Sequence, residues 1–426
     1  MVRTKKMENA WAIFDWANSV YALVISAAVF PAYFLSVTDP VLNFYGWKIS
    51  NSSFYSLIIS GAFLVMAFLS PLLSGIADYG NKKKLFLKFF TTLGSLACIC
   101  LYFFKGMSTI EIGAWGFIFA TIGFAGGLVF YNAYLPVVAK PSDFDRVSAK
   151  GFAFGYFGSV LLLIVNLVTI LHPDWFGFES SALATRVSFL LVGIWWISFA
   201  QITFRAMPSD SNKPLENGII TKGYKEIKKV MNELKSLPEV KRFLIGFFFY
   251  NSGVQTVLYL AASFAKVELK FMTTELIIII LLLQLVGLVG ALMFSRLSKL
   301  KGNKVTLVII LVIWVFICIF AYFVYTKSLF YVVAALVGMV MGGVQSLSRA
   351  TYSKLIYQHK DELASYYSFY DVLEKFAIVI GTFGFGFVEW LTGSMRTSVL
   401  VLILYFLVGL YFIIPLKVPR IIEDRE

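Results

Sequence analysis

The sequence predicts an all-α integral membrane protein with twelve transmembrane helices in two pseudo-symmetric six-helix bundles. Of its 426 residues, 59% are hydrophobic and only 14% are charged, whereas soluble proteins are roughly 45–50% apolar and about 25% charged. The apolar residues form twelve long segments, and a helix needs roughly 20 such residues to cross the hydrocarbon. One polar stretch, 205–242, separates the first six segments from the last six.

The segments are predicted, in chain order, at 14–35, 52–77, 85–104, 114–139, 151–171, 184–204, 243–265, 274–294, 305–326, 329–352, 366–388 and 397–416. They are about twice as long as the ~10-residue strands of membrane barrels and do not alternate. Inside lipid each backbone polar group must be paired within its own segment, which favours helices. The predicted domains are therefore a first bundle at 1–204, a linker at 205–242, and a second bundle with a short tail at 243–426.

The formal net charge of +13 is distributed unevenly along the chain. If the amino terminus is inside, the inner loops and tails hold most of the 37 Lys and Arg residues. The outer loops hold only Lys48, Lys105, Lys266, Lys270, Lys327 and Arg396. This asymmetry predicts a multi-pass protein of the cytoplasmic membrane with both termini in the cytoplasm. The same asymmetry explains the positive net charge, so no nucleic-acid partner is predicted.

The two halves repeat short polar patterns in the same order. Gly80-Asn81-Lys82-Lys83 follows the second segment and Gly302-Asn303-Lys304 follows the eighth. Gly126-Gly127 in the fourth segment matches Gly342-Gly343 in the tenth, and Asn18-Ser19 matches Asn251-Ser252. Parallel six-helix repeats are typical of one large class of transporters, which bind substrate near mid-membrane between the halves. The paired glycines are expected to let helix backbones approach closely.

The linker contains an amphipathic stretch at 223–237. Tyr224, Ile227, Val230, Met231 and Leu234 fall on one helical face, and lysines cover much of the rest. The pattern predicts a basic helix lying on the inner membrane surface. It would serve as a tether between the bundles or, alternatively, as a regulatory or partner-binding element.

Polar and ionisable residues inside the spans are functional candidates, because they are costly in lipid. The predicted substrate contacts are Asn18, Tyr21, Tyr131, Asn132, Asn251, Gln255, Tyr259, Gln345 and Arg349. The predicted proton-coupling or gate residues are Asp15, Arg349, Asp371, Glu374 and Lys375. Asp371 and Lys375 have the spacing of a helical ion pair, and Arg349 is expected near Asp371. These charges would either close an inner gate or meet a polar substrate and carry a proton.

Several other classes of function are disfavoured. Cys98, Cys100 and Cys318 lie inside apolar spans and have no metal-ligand spacing with a histidine, so neither a disulfide nor a metal site is predicted. The two histidines, His172 and His359, supply no nucleophile–base set, so we do not expect the protein to be an enzyme. The chain has no Gly-x-x-x-x-Gly-Lys-[Ser/Thr] loop, so direct use of ATP and any other cofactor are not expected.

The loop after the second segment resembles the signature loop of the major facilitator superfamily. The matching residues are Gly75, Asp78, Gly80, Lys82, Lys83 and Lys84, with Tyr79 where a basic residue is common. The second copy, 296–304, lacks the acidic residue. In that superfamily, such a loop stabilises one conformational state by docking on neighbouring helix ends.

Longer motifs resemble the branch related to the autophagy-linked vacuolar amino-acid effluxer. They are Phe14-Asp15-Trp16-Ala17-Asn18-Ser19, Tyr250-Asn251-Ser252-Gly253-Val254-Gln255-Thr256, the stretch 342–349, and Ser368-Phe369-Tyr370-Asp371 with Glu374-Lys375. Ser252 stands where many relatives carry an acid. The fungal relatives imply export of neutral amino acids.

These observations predict a secondary active transporter that works by alternating access. It would move a small polar solute, with amino acids as the first candidate, by proton-coupled efflux. It would act as a monomer, and its partners would be the lipid bilayer, the solute and protons. The alternatives are an exporter of lipids or hydrophobic compounds, and a membrane sensor or scaffold that transports nothing.

Overall fold

The computed structural model describes residues 4–44, 47–211 and 218–419. The predicted tail residues 1–3 and 420–426 and the linker stretch 212–217 lie outside the described residues. Each of the twelve predicted spans overlaps one long helix.

Thirteen labelled helices make up most of the described chain. They are α1 Lys5–Val37, α2 Asn51–Tyr79, α3 Lys83–Cys100, α4 Ile110–Ala133, α5 Phe144–Leu171, α6 Ser181–Ala206, α7 Ile219–Ser236, α8 Pro238–Leu269, α9 Thr273–Lys301, α10 Asn303–Tyr322, α11 Lys327–Leu355, α12 Leu363–Thr392 and α13 Met395–Ile413. Several begin before the predicted span, α1 by nine residues, because a helix can continue past the hydrocarbon with polar side chains in water.

Among the described residues, eleven helices are long and apolar enough to cross a membrane. The linker helix α7, which overlaps the amphipathic stretch 223–237, is not one of the eleven. The eleventh predicted span, 366–388, forms α12, a 30-residue helix that is not among the eleven candidate spans. It carries Asp371, Glu374 and Lys375 in its first half. The chain is therefore a multi-pass membrane protein in which one membrane helix is unusually rich in charge.

The first helix has a local irregularity at Tyr21–Val29, where nine residues adopt π-helical hydrogen bonding. The stretch has α-helix on both sides, at Lys5–Val20 and Phe30–Val37. π-Helical turns are rare and are found frequently at functional sites. The stretch begins at Tyr21, one of the predicted substrate contacts.

The loop between α1 and α2 contains a small antiparallel hairpin. Val41–Phe44 pairs with Trp47–Ser50, in a register that places Val41 opposite Ser50 and Leu42 opposite Ile49. The hairpin lies between two predicted spans, in a loop for which the sequence predicted no secondary structure. Lipid excludes exposed strand edges, but a loop outside the hydrocarbon can leave them to water.

Two compact units emerge from the packing of the helices. The amino-terminal unit consists of Lys5–Asn132 and Phe154–Tyr224, and the carboxy-terminal unit contains Ala133–Ala153 and the chain from Lys225 onward. Ala133–Ala153 groups with the later helices because Asp145 and Ser148 bond to them, as described below. The domain limits 1–204, 205–242 and 243–426 stay a prediction.

Each unit has an aromatic core and an apolar exterior. Trp11 and Trp196 are fully buried in the amino-terminal unit, as is Trp314 in the carboxy-terminal unit. By contrast, Phe68 is 71% exposed and Trp390 is 77% exposed. Such apolar side chains on a membrane helix face lipid.

Glycines allow two close helix approaches. In the amino-terminal unit, a Cβ atom placed on Gly123 would lie 2.4 Å from the Cα atom of Gly94, which joins α4 to α3. In the carboxy-terminal unit, a Cβ atom on Gly342 would lie 2.0 Å from the carbonyl oxygen of Gly287, which joins α11 to α9. Backbone contacts of this kind are how small residues hold membrane helices together.

We expect Gly342→Ala to destabilise the protein by about 1–3 kcal/mol, because the added methyl group meets backbone that cannot turn away. Gly386→Ala is the matched control, since a Cβ atom there meets nothing within 4 Å. Thermal unfolding of the detergent-solubilised protein measures both. Equal melting of Gly342→Ala and the wild type would contradict the close approach of α9 and α11.

Candidate functional site

In the amino-terminal unit, Asp15 is held by Tyr131. The Tyr131 hydroxyl donates a hydrogen bond of 2.8 Å to Asp15 Oδ2, and the carboxylate is buried. The Trp11 ring stacks on Tyr131 at a centroid distance of 4.5 Å, and Trp11 Nε1 donates to the Tyr131 carbonyl at 2.9 Å. A hydrogen bond to an ionised carboxylate is stronger than one between neutral groups. Helices α1 and α4 thus place a carboxylate within the unit.

Farther along α1, two predicted substrate contacts differ in how they are satisfied. The Tyr21 hydroxyl is 2.7 Å from Thr121 Oγ1 on α4. The amide nitrogen of Asn18 is buried and has no hydrogen-bond partner among the described residues, and the side chain is only 1% exposed. Buried polar atoms are nearly always bonded, so each exception needs an explanation. A ligand that accepts a hydrogen bond from Asn18 would provide one.

Asn166 on α5 was not predicted. Its side chain is fully buried, and neither its amide oxygen nor its amide nitrogen has a partner among the described residues. Helix α5 packs on α1, because Gly155 and Gly158 leave room for Ser19 and Trp16. The only signal in the sequence was a single asparagine in an apolar span.

In the carboxy-terminal unit, Glu374 is joined to α8 through Gln255. The Gln255 amide nitrogen donates to Glu374 Oε1 at 3.1 Å. The Asn251 amide nitrogen, one turn earlier on α8, is buried without a partner among the described residues. Gly381 permits this pairing of helices, because a Cβ atom there would lie 2.3 Å from the Ser252 carbonyl oxygen. The structure therefore brings Asn251, Gln255 and Glu374 together.

The same face of the unit contains an ion pair and an aromatic cluster. Lys375 Nζ donates to Asp371 Oδ1 within α12, and both side chains are buried. The Tyr370 ring stacks on Phe247 of α8 at 4.1 Å and lies 5.3 Å from Tyr352 of α11. The ion pair of α12 therefore follows directly, in the chain, on a residue of this aromatic cluster.

Arg349 lies at the predicted inner end of α11 and is 3% exposed. Its Nε and Nη2 atoms donate to the side chain and the carbonyl oxygen of Ser148, each at 2.9 Å, and its guanidinium lies 4.2 Å from the centre of the Phe152 ring. The Ser148 hydroxyl also donates to the Ser346 carbonyl at 2.7 Å. The described contacts thus tie Arg349 to the start of α5. The pairing of Arg349 with Asp371 stays a prediction.

A second connection to the start of α5 was missed from the sequence. The buried Asp145 carboxylate accepts hydrogen bonds from Ser298 Oγ at 2.6 Å, Asn303 Nδ2 at 2.7 Å and Lys354 Nζ at 2.8 Å. Ser298 and Asn303 belong to the second copy of the signature loop, which has no acidic residue of its own. Asp145 supplies that acid from a different part of the chain.

In the first copy of the signature loop, the acidic residue is local. Asp78 pairs with Lys83 at 3.0 Å, and Lys82 Nζ donates to the Ser211 carbonyl at 2.5 Å. The Asp210 carboxylate accepts from the backbone N–H groups of Lys84 and Leu85 at 2.9 and 2.7 Å, at the start of α3. It acts as an N-cap, satisfying two of the N–H groups that a helix start leaves open.

The remaining residues are predicted substrate contacts and members of the signature loop. Asn132 and Gln345 are half-buried, and Tyr259 is 44% exposed. Gly75 is buried at the end of α2, and Gly80 follows that helix as its C-cap. Lys84 Nζ donates to the Met207 carbonyl at 2.9 Å.

The carboxy-terminal unit also contains a partly open apolar cavity of about 70 Å³ between α8, α9, α10, α11, α12 and α13. Apart from Thr256, its lining is made of apolar side chains and Cys318, including Phe264, Phe330 and Phe385. Sites for drug-sized ligands are typically 300–1,000 Å³, so this cavity could hold only a small apolar group.

A model of the family described as "Vacuole effluxer Atg22 like" matches residues 3–426. A relative from Bacillus subtilis (strain 168), "Uncharacterized MFS-type transporter YxiO", is 30% identical over 414 residues, which cover 96% of this chain and 94% of the relative. Autophagy-related protein 22 of Yarrowia lipolytica is 22% identical, over 89% of this chain and 78% of the relative.

Solved structures of major facilitator transporters have the same fold. FucP in the outward conformation matches with a TM-score of 0.73 at 14% identity, over 97% of this chain and 100% of FucP. The proton:xylose symporter XylE matches with a TM-score of 0.67 at 13% identity, over 96% of this chain and 94% of XylE.

We expect Asp145→Ala to destabilise the protein by about 3–5 kcal/mol, because it leaves Lys354, whose side chain is only 11% exposed, without its carboxylate. Asp143→Ala is the matched control two residues earlier. Its partner is Arg146 in a partly exposed pair, and such pairs contribute about 0–1 kcal/mol. Thermal unfolding in detergent compares the two, and an equal effect would argue against a special role for Asp145.

Proposed function

The chain belongs to the vacuole effluxer Atg22-like family of major facilitator transporters, as its motifs predict, and on that premise we propose that it exports amino acids in exchange for protons. It would act as a monomer in the cytoplasmic membrane of the cell, with both termini in the cytoplasm. The proposed mechanism is alternating access, in which the two bundles rock about a central binding site.

The observation that carries the proposal is the polar set on α8 and α12, where Glu374, Gln255 and the Asp371–Lys375 pair lie within membrane helices. Ionisable groups at such depth are costly and mark substrate or proton pathways. Glu374 is half-buried and is bonded through one carboxylate oxygen to a neutral amide. It can therefore take up and release a proton without breaking an ion pair.

A zwitterionic amino acid would match this arrangement. Its ammonium group requires carboxylate or amide acceptors, which Glu374 and Asp371 supply. Its carboxylate requires N–H donors, and the unpartnered amide nitrogens of Asn18, Asn166 and Asn251 are donors of this kind. We propose that substrate binding satisfies some of these atoms. Tyr21, Tyr131, Asn132, Gln345 and Tyr259 would complete the lining of the central site.

The contacts of Arg349 and Asp145 would form the gate on the cytoplasmic side. Both join the start of α5 to the carboxy-terminal helices through charge-assisted hydrogen bonds. Opening towards the cytoplasm would require these bonds to break. Asp371 and Glu374 on α12 would pair with Lys375 and Arg349 in alternation during the cycle, and a change in the charge of Asp15 or Glu374 would bias that alternation.

Two alternatives predict different behaviour. An exporter of lipids or hydrophobic compounds would suit the apolar cavity, although about 70 Å³ is far smaller than such a cargo. A sensor or scaffold would show no flux at all and would tolerate substitution of Arg349 and Glu374.

We expect purified protein in proteoliposomes to move labelled amino acids when a pH gradient is imposed. Glu374→Gln, which keeps a hydrogen-bonding side chain but cannot ionise, should abolish the gradient-driven component. Exchange of substrate without a gradient should persist in that variant. Flux of a mixed labelled amino-acid pool measures both.

Glu389→Gln on the same helix is the matched control and should transport like the wild type. Equal loss in both variants would argue against a specific role for Glu374. If folded wild-type protein moves no amino acid under any gradient but moves fluorescent lipids or hydrophobic dyes, the cargo is hydrophobic. If it moves neither amino acids nor hydrophobic compounds, the hypothesis of a sensor or scaffold is favoured.

Asn251→Ala should raise the half-saturating substrate concentration by about 10-fold or more, since a hydrogen bond to a charged group contributes about 1.5–3 kcal/mol. It should change the melting temperature little, because the amide nitrogen has no partner among the described residues and the amide oxygen accepts only a long, 3.5 Å hydrogen bond from Gln255. Asn303→Ala, which removes a fully bonded amide, should lower the melting temperature. Weaker stability with unchanged affinity in Asn251→Ala would assign that residue a structural role.

A further inference from the structure

Three metal-ligating side chains converge outside the proposed transport site. Glu233 lies on the linker helix α7, while His359 and Glu362 lie in the loop between α11 and α12. One ligand atom from each lies within 4.8 Å of the other two. The sequence alone predicts no metal here, because Glu233 lies more than a hundred residues before His359 and Glu362 and only two of the ligands are close in the chain.

The separations suit a single small cation. His359 Nδ1 is 3.8 Å from Glu233 Oε2 and 3.7 Å from Glu362 Oε2. Ligands that bind zinc at 2.0–2.2 Å in a tetrahedral arrangement are roughly 3.3–3.6 Å apart. Small rotations of the long glutamate side chains would bring each carboxylate oxygen to that distance from the histidine nitrogen.

Neighbouring groups orient these ligands. Lys229 Nζ donates to Glu362 Oε1, which leaves Glu362 Oε2 directed at the histidine. The Tyr366 hydroxyl donates to Glu233 Oε2 at 3.0 Å and lies 3.3 Å from His359 Nδ1. Outer partners that hold ligand carboxylates and imidazoles in this way are typical of metal sites. Tyr366 also places a further oxygen atom beside the point where the three ligands meet.

The charge balance favours an added cation. Glu226, Glu233 and Glu362 surround Lys229, whose Nζ atom lies 3.7 Å from Glu226 and 3.9 Å from Glu233. One ammonium group therefore faces three carboxylates. The side chains of His359 and Glu233 are 25% and 31% exposed, so an ion can enter from water.

We propose that Glu233, His359 and Glu362 bind a divalent transition-metal ion of the zinc type. An imidazole ligand favours zinc and its neighbours in the first transition row, whereas magnesium and calcium take oxygen ligands. The bound ion would fasten the linker helix to the loop that leads into α12. The site is separate from the proposed transport function and does not depend on it.

Full-length protein, stripped with a chelator and held in detergent, tests the proposal by calorimetric titration and thermal unfolding. Zn²⁺ should bind with one ion per chain and raise the melting temperature, because a ligand that binds only the folded state stabilises it. Mg²⁺ at the same concentration should not. His359→Gln and Glu233→Gln should each weaken Zn²⁺ binding at least 10-fold.

His172→Gln is the matched control, because His172 is the other histidine of the chain, is exposed, and stacks on Trp175 in the loop between α5 and α6. It should bind Zn²⁺ like the wild type. Melting of each variant without metal shows whether it is folded, and using two ligand variants guards against misfolding of one. Unchanged binding in folded His359→Gln or Glu233→Gln, or no saturable binding by the wild type, would overturn the site.

Discussion

The absence of water in the bilayer is the constraint on which the rest of the structure depends. It requires each backbone amide to bond within its own helix, and it makes any unpaired side-chain donor expensive. Most polar side chains in the described helices obey it locally, as when Thr256 and Ser252 donate to the carbonyls one turn earlier. The few buried donors without a partner, such as Asn18 and Asn251, are therefore the most informative atoms of the molecule.

Much of the fold could be predicted because it is encoded in local sequence. Apolar runs located the membrane helices, and the four-residue spacing of Asp371 and Lys375 matches a pair that forms within one turn of one helix. The assignment to a transporter family rested on similarly short motifs and is confirmed. The π-helical stretch in α1 and the hairpin after it left no comparable signal, because both depend on how the flanking chain packs.

The candidate site was less predictable, because its contacts join distant parts of the chain. Asp145 precedes Asn303 by more than a hundred residues, and its neighbours suggested only a loop. The repeat did show that the second signature loop lacks an acid, and that absence was the available hint that another residue supplies one. Asn166 is a different case. The sequence shows an asparagine in an apolar span, but only the structure shows that its amide group has no hydrogen-bond partner among the described residues.

The cap that Asp210 places on α3 has a consequence for biosynthesis. The N–H groups of Lys84 and Leu85 are exposed as soon as α3 emerges from the ribosome, but their acceptor follows α6, more than a hundred residues later. Until then the start of α3 depends on water. The signature loop therefore reaches its final form only after the first six helices have been made. Completion of the amino-terminal unit thus depends on synthesis of the segment after α6 that contains Asp210.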